Sequence, residues 1–320
     1  MKLAFNRLCL TLAGADSFYQ HQLCNGVSGL REEEAVKLKE KTLPVLEKAV
    51  NRDAWIRNII NYVLVRQNND GGYAFAQGLG SNAQDTYYGV AILGLLAVPL
   101  PNVEKTIEWL QGIVPENIYH HYYVAKALKL CSKNPNEKLT SFLLSRTGSE
   151  EHFGTVDVYV EAASEFVTTF MVTDLVNIVG VQIDREKAIR WLLSYKNMDG
   201  GFGAQGYSSL SSTYHAIASL FNLEYPVSSL RKTHEYVRSC ETPRGFTIVP
   251  SSTLPYMEHV YHGVLTLELL SERVRYPENI ARFVLSCQKA KGGFGRADLG
   301  IATFEDTFFA VTVLRKIGKL

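Results

Sequence analysis

A twelve-residue apolar segment recurs six times along this chain, and its spacing constrains the fold more than any other feature. The copies read DTYYGVAILGLL, YHHYYVAKALKL, EFVTTFMVTDLV, STYHAIASLFNL, HVYHGVLTLELL and DTFFAVTVLRKI, opening at Asp85, Tyr119, Glu165, Ser212, His259 and Asp306. Steps of 34, 46, 47, 47 and 47 residues separate them. Such a period marks a repeat architecture, whose units bury their apolar faces only by stacking on one another. Glycine-aromatic turns punctuate the repeats. Asp70-Gly71-Gly72-Tyr73 recurs as Asp199-Gly200-Gly201-Phe202, and in shortened form as Arg244-Gly245-Phe246 and Gly292-Gly293-Phe294. The second copy, which follows the short step, has lost its glycines.

Each unit reads as two helices. The first carries apolar residues at helical spacing, as in Ile189, Leu192 and Leu193, or Ile280, Phe283 and Val284. Glycine then stops it, because glycine accepts the left-handed conformation at a helix C-terminus. The second helix opens at the landmark residue and is apolar on most faces, which predicts burial, whereas the charged first helix can face water. The last copy leaves only Gly318 to Leu320 beyond it, with no room for the polar cap of an open solenoid. The expected fold is therefore all-α: a closed (α/α)6 toroid of six helical-hairpin repeats spanning residues 51–320. Residues 1–50, with a charged amphipathic run from Leu30 to Lys48, are expected to form an N-terminal helical extension packed on it, within a single domain.

Composition removes several functions. The chain has 33 Lys and Arg against 32 Asp and Glu, so it lacks the basic surplus of a nucleic-acid binder. Its longest apolar stretch, Gly89 to Leu100, is too short for a membrane span. Lys2 and Arg7 before the run Leu8 to Ala15 loosely imitate a secretion signal, but the run is short, so a packing helix and a cytoplasmic protein are expected. Five cysteines, Cys9, Cys24, Cys131, Cys240 and Cys287, form no CxxC pair and read as buried free thiols.

The glycine-aromatic turns, the lead-in Cys287-Gln288, and the pairs Asp85-Thr86 and Asp306-Thr307 resemble the protein prenyltransferase β-subunit and class II terpene cyclase superfamily over roughly residues 53–318. The resemblance implies a double ring of helices around an apolar, aromatic funnel that holds an isoprenoid chain. It also implies that the first turns of the inner helices line the funnel mouth. One fold hosts several chemistries, so the reaction has to be argued from residues.

Zinc-dependent members use an Asp-x-Cys pair and a His at positions that match His259, Tyr261 and Asp306 here. The thiolate is gone, so no cofactor is favoured; zinc or magnesium is the alternative, with those three residues as the candidate ligands. The diphosphate-binding stretch of such enzymes matches Thr247 to Tyr256, which has no basic residue, leaving Arg296 alone for a group that usually takes several donors. Cyclases of class II protonate an alkene or epoxide with the middle acid of Asp-x-Asp-Asp-Thr. The last repeat reads Thr303-Phe304-Glu305-Asp306-Thr307, which keeps an acid in the middle position but has Thr303 for the first. The favoured expectation is an isoprenoid-processing enzyme with acid-initiated, zinc-independent chemistry on a polyprenyl substrate. Glu305, Asp306, Asp85 and His259 are its candidate catalytic residues, the two aspartates being expected to meet at the mouth. Tyr87, Tyr88, Tyr119, Glu165, Tyr214, Tyr261, Arg296 and Phe308 are the candidate substrate-binding residues. Two alternatives are a prenyl-diphosphate transferase needing a helical partner subunit and a non-catalytic lipid-binding toroid. The bland reading of the landmarks is that Asp and Ser there cap their helices.

Overall fold

The structure is a computed structural model, which describes residues 53–135, 137–147, 165–203 and 206–320. The expected N-terminal extension lies outside the described residues. Among the described residues twelve α-helices follow one another: α1 (Ala54–Leu64), α2 (Ala83–Leu95), α3 (Val103–Gly112), α4 (Ile118–Leu130), α5 (Glu137–Thr147), α6 (Glu165–Val179), α7 (Arg185–Ser194), α8 (Leu210–Asn222), α9 (Arg231–Cys240), α10 (Met257–Leu269), α11 (Pro277–Ser286) and α12 (Phe304–Lys316). Two short antiparallel ladders, β1 (Glu241–Thr242) with β2 (Gly245–Phe246) and β3 (Phe294–Gly295) with β4 (Ala302–Thr303), belong to the glycine-aromatic turns.

Every odd-numbered helix packs on the even-numbered one that follows it. The even-numbered helices also pack on each other in cyclic order, α2 to α4, α6, α8, α10 and α12, and α12 returns to α2. This is an inner ring surrounded by an outer one. The outer helices bury a single stripe, as α1 does with Ile59, Ile60, Tyr62, Val63 and Leu64. The inner helices are buried most of the way round; in α2 the run Thr86 to Leu93 is buried without a break. Among the described residues no helix is long and apolar enough to cross a membrane. Cys131, Cys240 and Cys287 are buried free thiols, as expected, while Cys9 and Cys24 lie outside the described residues.

The glycine-aromatic turn holds neighbouring repeats together. Gly71 has φ +91°, and a Cβ there would lie 2.4 Å from the backbone nitrogen of Thr106 in α3. Gly292 makes the same approach across the seam of the ring, where a Cβ would lie 2.0 Å from the carbonyl oxygen of Asn58 in α1. In the first and last of these turns a lead-in glutamine spans the same joint. Gln67 Nε2 donates to Gly71 O and Pro101 O, and Gln288 Nε2 donates to Gly292 O and, across the seam, to Trp55 O at 2.9 Å. The aromatic residue of the turn is buried against the inner helix of its own repeat. Its N–H donates to a threonine Oγ1 in the first turn of that helix: Tyr73 to Thr86, Phe202 to Thr213 and Phe294 to Thr307, all at 2.9–3.0 Å. Each threonine hydroxyl in turn donates to the carbonyl of the N-cap residue, so a buried polar chain is satisfied throughout.

The inner helices of the first, fourth, fifth and sixth repeats begin two residues before their landmarks, at Ala83, Leu210, Met257 and Phe304. Asp85, Ser212 and Asp306 therefore sit at the third helical position, where capping boxes form. Their N–H groups donate to the side chains of Asn82, Ser209 and Thr303, and the caps donate back to Asp85 Oδ2, Ser212 Oγ and Asp306 Oδ2 at 2.6–2.9 Å. In α4 the capped residue is His120, whose N–H donates to Asn117 Oδ1.

A candidate functional site inside the ring

The residues that face the centre lie just beyond the capping tier. Two positions after the capped residue in α2, α4, α8 and α12, and at the matching positions of α6 and α10, an aromatic ring lines the centre: Tyr87, Tyr122, Tyr214 and Phe308, with Phe170 and Tyr261. These six rings form a closed circuit. Their centroids are 6.3 Å apart from Tyr87 to Tyr122, 6.1 Å on to Phe170, 6.1 Å to Tyr214, 5.8 Å to Tyr261, 6.0 Å to Phe308 and 5.9 Å back to Tyr87. Spacings of this size are those of favourable tilted and edge-on ring pairs. The next residue on each helix completes the wall: Tyr88, Tyr123, Met171, His215, His262 and Phe309. Together with Val167, Glu258 and Glu305 they enclose a cavity of about 230 Å³.

This geometry corrects two registers. The second repeat aligns through Tyr122-Tyr123 on Tyr87-Tyr88, one residue later than its landmark Tyr119 implies. The third aligns through Phe170-Met171, three residues later than Glu165 implies. The buried threonines agree, since Thr169 stands where Thr86, Thr213 and Thr307 stand in their own helices, all 0% exposed. Tyr119 and Glu165 consequently do not line the cavity. Glu165 lies within 3.5 Å of the Tyr195 hydroxyl instead. The paired tyrosines at 122–123 were the available signal. A slip of three residues turns a helix by about 300°, close to a full turn, so an apolar helix conceals it.

Of the other expected residues, Tyr87, Tyr88, Tyr214, Tyr261, Phe308 and Glu305 line the cavity, and Asp85, Asp306, His259 and Arg296 do not. Asp85 and Asp306 are held by their capping boxes. Glu305 projects from the first turn of α12, accepts a hydrogen bond from the Tyr88 hydroxyl at 2.8 Å, and has its pKa raised by burial. Glu258 and Asp85 add repulsion in the same direction, while the bond from Tyr88 opposes it. Asp306 is pushed up to about 6, again chiefly by burial, with Glu305 and Glu258 adding to the rise. Glu258 goes the other way. Hydrogen bonding to His259 and the Arg296 guanidinium hold its pKa below the usual carboxylate range despite burial. Arg296 NH2 lies 2.7 Å from Glu258 Oε1, and its guanidinium rests 4.4 Å above the Tyr256 ring, so this mouth cation is already engaged.

Two histidines also line the cavity, His262 on α10, which packs against α12, and His215 on α8. His215 Nδ1 lies 2.8 Å from the Ser211 carbonyl, which accepts only if that nitrogen carries the proton. His262 Nδ1 lies 3.0 Å from Ser211 Oγ, and its ring stacks on Tyr214 at 4.6 Å. Burial lowers His215 to about 4 and His262 well below its ordinary value, so both are neutral at pH 7.

Comparison with known proteins fits this architecture. The model of the prenyltransferase alpha-alpha toroid domain matches residues 38–113 and 166–320, a span that starts inside the segment set apart as an extension. The chain belongs to the prenyltransferase alpha-alpha toroid family. Two solved structures share the toroid. One is a type II terpene cyclase from Scytonema in complex with its product merosterolic acid A, at 12% identity and a TM-score of 0.54, covering 87% of this chain and 98% of that one. The other is Candida albicans protein geranylgeranyltransferase-I complexed with GGPP, at 15% identity and a TM-score of 0.50, covering 94% and 91%. At these identities the likeness is one of fold. None of the curated proteins compared with this chain matches it.

The zinc set of the resemblance does not fit this toroid. His259 Nε2 is 3.1 Å from Glu258, the Tyr261 ring is part of the collar, and Asp306 is tied to Thr303. Among the described residues no group of three or more His, Cys, Asp or Glu side chains is placed to hold a metal.

Proposed function

We propose that this toroid processes an isoprenoid by acid-initiated chemistry, with Glu305 as the proton donor. The observation that carries the reading is one ionisable side chain with a raised pKa inside an aromatic collar, and no unpaired cation beside it. Burial shifts Glu305 towards its protonated form, and a protonated carboxyl group can deliver its proton to an alkene. The Tyr88 hydroxyl occupies Glu305 Oε1 and orients the group. The carbon cation so formed would lie among aromatic faces, which stabilise positive charge through their quadrupoles. Neutral His262 and His215 line the same cavity from α10 and α8 as bases that can take a proton from the cation. Proton gain at one carbon and proton loss at another balance as an isomerisation or a cyclisation.

The volume of about 230 Å³ has room for roughly eight or more non-hydrogen atoms at the ~30 Å³ each takes in liquid water. That accommodates the reacting terminal isoprene unit and part of the next, with any longer chain extending through the mouth. A diphosphate would meet Glu258 and Glu305 there, and Arg296 is already committed to Glu258, so transfer from a prenyl diphosphate is disfavoured. The test is turnover of short isoprenoid alkenes and epoxides by the wild-type protein and by Glu305→Gln. The amide keeps the shape and the Tyr88 contact but has no acidic proton. Activity should fall at least a hundredfold with the thermal midpoint unchanged; a variant with wild-type turnover would refute the assignment.

A further inference from the structure

We propose that the second repeat carries a further ligand site, outside the inner ring, for a small uncharged molecule of one ring bearing a hydroxyl or N–H donor. The site is independent of the chemistry proposed for the central cavity.

The second repeat lacks the turn that its neighbours use. Residues 65–82 join α1 to α2 and 287–303 join α11 to α12, whereas 113–117 alone join α3 to α4. In the first repeat the longer connection fills the space between its own two helices and the next outer one. Gly71 abuts Thr106 of α3, and the buried Tyr73 ring lies over Gly89, where a Cβ would sit 3.0 Å from it. The N–H of Tyr73 is received by Thr86. Because Tyr122 matches Tyr87, the same face of α4 presents His121 for Thr86, Val124 for Gly89 and Ala125 for Val90. These three line a cavity of about 200 Å³, together with Leu128, Leu110 of α3 and Leu139 of α5. The cavity thus stands where the first, fourth and sixth repeats seat a turn and its ring.

The lining sets the chemistry of the occupant. An apolar cavity of ~150 Å³ takes up benzene, so this one has room for one substituted ring. His121 stacks on Phe142 of α5 at 4.0 Å, which fixes the plane of its imidazole. Burial, with His120 beside it, lowers its pKa to about 4, so at pH 7 the ring is neutral and keeps one nitrogen as an acceptor. A hydroxyl or N–H on the occupant supplies to His121 what the Tyr73 N–H supplies to Thr86. The lining includes no Asp, Glu, Lys or Arg, so a charged occupant would lose hydration without gaining a counter-ion. Gln111 and Asn134, both exposed, mark the edge at which the cavity meets solvent.

The experiment titrates the full chain with phenol and with toluene, which has the same shape but a methyl group for the hydroxyl. Occupancy is read from the NMR shifts of the Val124, Leu128 and Leu139 methyl groups, which report this cavity and not the central one. Both probes should move these signals saturably. Ala125→Leu, which fills the cavity, should weaken both at least tenfold; Leu139→Phe fills it from the facing helix and serves if Ala125→Leu fails to fold. His121→Phe keeps a ring on Phe142 but has no acceptor. It should weaken phenol at least fivefold and toluene less than twofold, with His121→Leu as the substitute if that variant does not fold. Signals unmoved by either probe, wild-type affinities in the cavity-filling variants, or a loss at His121 no greater for phenol than for toluene would overturn the proposal.

Discussion

Asp306 combines a capping role with an electrostatic cost, and replacing it with asparagine separates the two. The residue is 9% exposed and its pKa is raised from 3.8 to about 6, first by burial. A group whose folded-state pKa lies above its unfolded value binds its proton more tightly when folded. Its contribution is therefore most favourable below about pH 4, and stability is lost as pH rises from there through 6. A rise of some two units at 1.36 kcal/mol each puts the loss at about 3 kcal/mol by pH 7. Two effects reduce that figure. Ionised Asp306 sits in the first turn of α12, where the helix dipole favours negative charge by about 0.5 kcal/mol. Repulsion from Glu305 is shared between the two groups and cannot be assigned to one of them. Asp306→Asn keeps the backbone bond to Thr303 Oγ1 and offers an amide oxygen to the Thr303 hydroxyl. The variant should match the wild type near pH 4 and exceed it by about 1–3 kcal/mol at pH 7. Urea denaturation at half-unit steps from pH 4 to 7.5 measures the difference. A gap that does not widen with pH, or a wild type more stable at pH 7, would show that the cap dominates and the reasoning is wrong.

Two more perturbations examine the ring itself. Gly292→Ala places a Cβ 2.0 Å from the Asn58 carbonyl at φ +97°, so it should cost about 2 kcal/mol or more, whereas Gly80→Ala, which meets nothing within 4 Å, should cost well under 1. Equal thermal midpoints for the two variants would contradict a tight seam. Lys126→Met leaves Asp174 facing the tyrosines without its partner and should destabilise by about 1–2 kcal/mol, less than the 3–5 of a fully buried pair because both side chains keep some exposure, 26% and 19%. Lys126→Met/Asp174→Leu should recover most of the loss in chemical denaturation, and a double variant as unstable as the single one would contradict the ion-pair account.

The architecture was legible because its signals are local. At Gly71, Gly200 and Gly292 the glycine-aromatic turn marks a place where the chain passes within van der Waals reach of the next outer helix. The near-constant step reports a unit that cannot bury its inner helix alone. Closure itself rests on the packing of α12 on α2. The site was only partly legible. Inner helices are buried on nearly all sides, so apolar periodicity does not fix their rotation about their own axes. That left Tyr122, Tyr123, Phe170 and Met171 unassigned and placed Tyr119 and Glu165 at the wrong height. The acidic landmarks attracted attention because Asp and Ser are rare in apolar helices, yet that is also what a capping box looks like. Placing Glu305 in the cavity and Asp306 outside it required the three-dimensional turn of α12, since adjacent residues on a helix point about 100° apart.

The same turn explains how one fold can change its chemistry. In α2, α4, α8 and α12 the N-cap side chain holds the third residue, and in α2, α8 and α12 the fourth is a threonine that receives the glycine-aromatic turn. The fifth and sixth face the cavity. Folding and chemistry thus occupy neighbouring tiers along the same helices, and the collar residues are separate from the side chains that make the turn and cap hydrogen bonds. Glu305 is the exception, standing in the capping turn but directed inward, where Tyr88 from the first repeat meets it across the closing seam. Its environment exists only when α12 packs on α2, so the proposed acid is assembled by closure of the ring. A loosened seam should therefore lower the Glu305 pKa towards that of an exposed carboxyl before it unfolds the protein.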